Sequence, residues 1–74
     1  MARKKTDMKL AKKVGNNIFF AMQNKCLTKH KLATIVGVSQ QSITHFITGK
    51  GLPSVSTLLR ISDALNVSLQ FLTT

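Results

Sequence analysis

The sequence predicts an all-α fold of five helices, and three of its features support that prediction. Apolar residues recur three and four positions apart along most of the chain, which is the spacing that places them on one face of a helix. Serine or threonine precedes most of these stretches, where its side-chain oxygen can cap a helix N-terminus, and glycine or asparagine follows several of them. No stretch shows the alternation of apolar and polar residues that is typical of a strand.

The chain divides into a short basic arm and one small domain. Residues 1–6, MARKKT, lack apolar spacing and are expected to form a flexible N-terminal arm. Residues 7–74 are expected to form the domain, since a chain of 74 residues has room for only one modest core. The predicted helices are Asp7–Lys25, Lys29–Val36, Gln40–Thr48, Val55–Leu65 and Leu69–Leu72.

The second and third helices form the most informative part of the chain. Gly37 ends the second helix because glycine accepts the left-handed backbone of a tight exit, and Ser39 is placed to cap the third. Ile43, Phe46 and Ile47 form a buried stripe on that third helix. Two helices joined by a short turn, the second with a polar outer face, indicate a helix-turn-helix motif at residues 28–49.

These residues resemble the lambda-repressor-like (Cro/cI, XRE-type) family of DNA-binding proteins. Ala33, Gly37, Val38 and Ile43 match the alanine, glycine and hydrophobic positions of that family's motif, and the likeness extends from Leu27 to Leu72. Gln40-Gln41-Ser42-Ile43 looks like the start of the recognition helix in lambdoid phage repressors. The resemblance implies a compact five-helix lambda-repressor-like domain that binds DNA. Many members pair an arginine with a glutamate where this chain has Met22 and Ile47, so we expect an apolar contact between these two residues.

The charge of the chain agrees with a nucleic-acid partner. Eleven Lys and Arg against two Asp and Glu give a formal net charge of +9, which attracts polyanions. A membrane is a weaker candidate, because no apolar run approaches the roughly 18 residues of a spanning helix. The single cysteine, Cys26, fits a reducing bacterial cytoplasm and is expected to be a small buried filler near the end of the first helix.

The expected base contacts lie at the start of the third helix. The amide of Gln40 can donate to adenine N7 and accept from its N6 amine at once, and the amide of Gln41 can do the same or donate to guanine. Thr44 lies one turn further on, where its methyl group could touch a thymine methyl, and His45 can donate to an acceptor or contact the backbone.

Contacts to the DNA backbone are expected around these residues. Two groups of side chains are candidates, one flanking the motif and one in the arm: Thr28, Lys29, Ser39, Ser42, Thr48 and Lys50, and Arg3, Lys4 and Lys5. The arm has a second interpretation, in which it is a solvated terminus that only aids solubility.

A double-stranded DNA operator and a second copy of the chain are the expected partners. One motif reads too few base pairs for useful specificity, so a homodimer on two half-sites is expected. Val67–Leu72 is the first candidate interface, with Phe71 expected in the core, and Phe19/Phe20 is the second. Of these two phenylalanines one is expected in the core and the other half-buried, unless both form the interface.

Enzymatic activity, cofactors and metals are not expected. The sequence has no arrangement of nucleophile and base, and its only acids, Asp7 and Asp63, lie on different helices. Cys26, His30 and His45 lack the paired spacing of a zinc site. The leading hypothesis is a sequence-specific transcriptional regulator that acts as a repressor. The alternatives are an antitoxin that also binds a protein partner, and an architectural protein that binds any DNA through charge alone.

Overall fold

The computed structural model describes the backbone of residues 3–74 and the side chains of residues 9–74. Throughout that range the regular structure is helical, which confirms the prediction of an all-α fold with five helices. The helices are α1 (Arg3–Asn24), α2 (Lys29–Val36), α3 (Gln40–Ile47), α4 (Val55–Leu65) and α5 (Leu69–Thr73). None of them combines the length and apolarity that crossing a membrane would require.

Helix α1 is longer than the sequence indicates. Its helical backbone begins at Arg3, four residues before the predicted start at Asp7, and continues without a break through Gly15. Lysine and arginine are good helix formers, so the basic residues can continue the helix outward. Residues 1–2 of the expected arm lie outside the described residues, as do the side chains of Arg3, Lys4 and Lys5. Their DNA contacts therefore stay a prediction.

The core lies between α1 and the four shorter helices. Its members are apolar side chains that are almost fully buried and come from every helix: Val14, Ile18, Ala21, Met22, Leu32, Ala33, Val36, Ile43, Ile61, Leu65 and Leu72. Ile47 is partly buried and packs against the same cluster, to which Met22 belongs. The proposed contact between Met22 and Ile47 stays a prediction.

Four of the helix ends use a residue in the left-handed region. Gly37, Gly49 and Asn66 have φ values of 86°, 77° and 56°, and Cys26 has a φ of 57°. After each of them the next backbone N–H donates to the carbonyl five residues earlier, as Leu27 does to Met22 at 2.9 Å. Cys26 therefore lies at the exposed end of α1. The prediction that it is a small buried residue is wrong.

The phenylalanines also lie elsewhere than the sequence indicates. Ile18 and Leu72 occupy the buried positions, whereas Phe19 is 43% exposed, Phe20 57% and Phe71 37%. At 100° per residue, Phe19 lies about 100° and Phe20 about 160° around α1 from the buried Ile18. The prediction that either Phe19 or Phe20 lies in the core is wrong. The prediction that Phe71 lies in the core is also wrong. Leu72, at the end of the candidate interface Val67–Leu72, is fully buried and unavailable to a partner.

Candidate nucleic-acid interface

Side-chain caps define the start of both helices of the motif. The Thr28 hydroxyl oxygen accepts a hydrogen bond from the backbone N–H of Lys31 at 3.1 Å and begins α2. The Ser39 hydroxyl oxygen accepts from the N–H of Ser42 at 3.0 Å and begins α3. Between them, Gly37 in the left-handed conformation ends α2, and the chain turns into α3 within three residues. The turn therefore fixes the angle between α2 and α3 locally.

Helix α3 is anchored by its apolar face. Ile43 is completely buried, and Phe46 and Ile47 are partly buried against the core. Helix α1 approaches the C-terminal end of α3 at Gly15, where no side chain separates the two backbones. A Cβ atom added at Gly15 would lie 2.2 Å from the carbonyl oxygen of Phe46 and 2.7 Å from that of Ile47. The backbone of α1 thus directly limits where α3 can lie.

The opposite face of α3 is exposed and carries hydrogen-bonding side chains without a carboxylate. Gln40, Gln41 and His45 are exposed, and Thr44 is half-buried. The Thr44 hydroxyl donates to the carbonyl of Gln40 at 3.2 Å, so its hydrogen is used within the helix and its methyl group is the part left for another molecule. The structure thus brings the four predicted base-reading residues together on one short helix, with two primary amides at its N-terminal end.

The hydroxyl residues expected to contact phosphate differ in whether their O–H group is still available to donate a hydrogen bond. Thr28 accepts a backbone N–H and retains its own O–H for donation. Thr48 donates its hydroxyl to the carbonyls of Thr44 and His45, at 2.8 and 3.2 Å. Ser39 and Ser42 share a hydrogen bond of 3.0 Å between their hydroxyls. Thr28 is therefore a better phosphate donor than Thr48.

Two exposed lysines flank α3 in the chain. Lys29 is the first residue of α2, where the N–H groups of the helix terminus also favour an anion. Lys50 follows Gly49 directly after α3. The sequence of α3, QQSITHFI, contains no carboxylate that would oppose a phosphate. Helix α3 therefore carries no negative charge, and one lysine begins α2 while another follows α3 in the chain.

One cationic side chain beside the C-terminal end of α3 is not among the residues that the sequence indicates as DNA contacts. Lys12 of α1 lies over Gly49, where an added Cβ atom would lie 2.7 Å from Cγ and 3.0 Å from Cα of Lys12. The sequence indicates only that Lys12 is off the apolar stripe. Which side of α1 faces α3 depends on tertiary packing. In the sequence, only the glycines Gly15 and Gly49 could have indicated that side.

No metal site is visible in the part of the chain with described side chains, since no three residues of the His, Cys, Asp and Glu types gather there. His30 is on α2, His45 is on α3 and Cys26 is in the loop after α1.

This geometry is that of a helix-turn-helix domain of the kind that binds DNA. The model of the helix-turn-helix family HTH_3 matches residues 21–72, which is more than half of the sequence. The chain belongs to this family, and the match confirms the predicted lambda-repressor-like resemblance.

A solved structure has the same fold. The chain superimposes on the restriction-modification controller protein C.AhdI from Aeromonas hydrophila with a TM-score of 0.79. The two are 21% identical, and the alignment covers 84% of this chain and 94% of C.AhdI. A search of curated proteins finds no matching sequence.

Proposed function

We propose that the protein is a sequence-specific regulator that reads the major groove of double-stranded DNA with α3, binds as a homodimer and represses transcription. The observation that carries this proposal is the exposed outer face of α3, with Gln40 and Gln41 at its N-terminal end. The likeness to a restriction-modification controller supports a regulatory role. A bacterial cytoplasm is the proposed location.

The two amides supply the chemistry of base recognition. A glutamine amide pairs with the N6 and N7 edge of adenine through two hydrogen bonds, which is worth about 1–3 kcal/mol of discrimination. Ser39 ends the turn immediately before Gln40, so both amides extend from the first turn of a capped helix. The rigid cap and the buried Ile43 reduce the entropy that would be lost on docking.

Backbone contacts would orient α3 in the groove. Thr28 and Lys29 at the start of α2, and Lys50 after α3, are exposed and lie on both sides of the motif in the chain. Contacts of this kind fix position and contribute affinity without reading sequence. A second copy of the domain on the neighbouring half-site would supply the remaining specificity.

The test begins with selection of a preferred duplex by the purified protein from random DNA. Gln40→Ala and Gln41→Ala should each weaken binding to the selected duplex by about 1–3 kcal/mol and relax preference at one position. Gln23 is also exposed, lies outside α3 and outside both candidate dimer interfaces, and provides a matched control. Its alanine variant should bind as the parent does. If both α3 variants also bind as the parent does, the assignment of the site is wrong.

Salt separates this proposal from binding through charge alone. At about 0.15–0.2 M salt, a specific regulator should still prefer its selected duplex to a random one. Charge-only binding would weaken equally on every sequence as salt is raised, and that result would favour an architectural role.

Exposed apolar side chains keep the antitoxin-type function as a second candidate. Ile35 is 55% exposed on α2, and Val55 and Leu59 are 71% and 51% exposed on α4. Exposed apolar surface of this kind can bind a protein partner. Co-purification of a defined second polypeptide in a fixed ratio would favour this function.

A further inference from the structure

Helix α1 crosses the end of α3 at two glycines. Gly15 of α1 lies against the carbonyls of Phe46 and Ile47, and Gly49 lies against the backbone and side-chain stem of Lys12. Gly49 has a φ of 77° and ends α3, so no other residue type fits there without strain and a clash. The absence of a side chain at Gly49 is what allows Lys12 to lie directly beside the end of the recognition helix.

The position of Lys12 differs from that of its neighbour Lys13. The two residues are rotated by about 100° from each other around the helix axis. Lys13 lies one turn before Asn17, whose side-chain amide donates to the carbonyls of Phe71 and Leu72 in α5 at 2.9 and 3.0 Å. Lys13 is therefore on the α5 side of α1, whereas Lys12 is on the α3 side. Both are exposed.

We propose that Lys12 is a DNA-phosphate contact that positions the recognition helix, acting beside Lys50. The inference rests on the proposed function, because it takes α3 as the helix that enters the groove. Phosphates line both edges of the groove that such a helix occupies, and Lys12 is held at one end of α3. Lys50 follows Gly49 directly, so the two ammonium groups extend from adjoining parts of one surface.

Two properties of the site favour phosphate binding by Lys12. Its stem is packed over Gly49, so less side-chain entropy is lost when the ammonium group meets an anion than for a free surface lysine. Neither α3 nor the segment 48–54 that follows it contains a carboxylate that would pair with this lysine. On the side of α1 that faces α3, a phosphate of DNA would therefore meet no competing acid from these two segments.

The experiment compares Lys12→Gln with Lys13→Gln on the selected duplex and on a random duplex over a series of salt concentrations. Each substitution removes one positive charge, and glutamine retains the Cβ and Cγ atoms that cover Gly49. Lys12→Gln should weaken binding about ten-fold for each bound subunit on both duplexes, as expected when one hydrogen bond from a charged group is lost per subunit. It should also reduce the slope of log K against log salt by about 0.9 for each bound subunit.

Lys13→Gln should change affinity by less than about two-fold and leave the slope unchanged, because a charge distant from the DNA is screened by salt. Equal effects of the two substitutions, or no effect of Lys12→Gln, would overturn the inference. Unfolding curves of both variants show whether packing is affected. If Lys12→Gln lowers the Tm, Lys12→Met keeps an apolar stem over Gly49 and should lose the same affinity, and binding like the parent would overturn the inference.

The proposed function has a separate point of failure. A parent protein that shows no preference between selected and random duplexes would contradict sequence-specific reading. The difference between Lys12 and Lys13 would still be measurable on random DNA, because a phosphate contact does not depend on sequence.

Discussion

Gly15→Ala is the substitution that tests the packing of the recognition helix most sharply. The added methyl group would lie 2.2 Å from the carbonyl oxygen of Phe46. An ordinary contact between carbon and oxygen is about 3.3 Å, so α1 and α3 would have to separate by about 1 Å. Overpacking of this kind costs about 1–3 kcal/mol, and the upper end applies because the obstructing atoms belong to the backbone. The higher helix propensity of alanine relative to glycine offsets about 1 kcal/mol of this cost.

The expected result is a net loss of about 2 kcal/mol in the free energy of unfolding, measured by urea or thermal denaturation. For a domain of this size that loss lowers the Tm by roughly 8–16 °C. Gly51→Ala is the matched control, because nothing lies within 4 Å of its added Cβ atom, and it should be neutral or slightly stabilising. If Gly15→Ala instead raises the Tm, the close approach of α1 to α3 is wrong and Gly15 is an ordinary helical position.

Three further predictions concern stability. Cys26→Gly should raise the free energy of unfolding by up to about 1 kcal/mol, because Cys26 holds a left-handed φ of 57°; a loss of stability in denaturation would contradict this helix end. Ser39→Ala should cost about 1 kcal/mol through loss of the cap on α3, and an unchanged urea midpoint would show that the cap is unimportant. Met22→Ala and Ile47→Ala should show a coupling of about 0.5–3 kcal/mol in a double-mutant cycle, and additive losses would indicate that the two residues do not touch.

The helix-turn-helix was predictable because its determinants are local. The bounds of α2 agree with the sequence analysis at both ends, as does the start of α3, since Thr28, Gly37 and Ser39 act on backbone groups within a few residues. The outer face of α3 followed from the helical period once Ile43 was taken as buried.

The properties that the sequence could not indicate depend on tertiary contacts. Phe19, Phe20 and Phe71 are apolar enough for a core, but Ile18 and Leu72 have the orientation that reaches it. Cys26 occupies a helix-end position that is usually glycine or asparagine. A cysteine there gives no indication in the sequence of a left-handed backbone. The place of Lys12 depends on which side of α1 meets α3, and the period of a helix leaves that open.

The central claim is that the outer face of α3 enters the DNA groove, and the side-chain amide resonances of the glutamines test it directly. In an NMR titration with the selected duplex, the amide NH2 signals of Gln40 and Gln41 should shift, whereas those of Gln23 should stay in place. All three are exposed, so each is free to respond to a ligand. Signals of Gln40 and Gln41 that remain unmoved while those of Gln23 shift would place the DNA on another surface and contradict this claim.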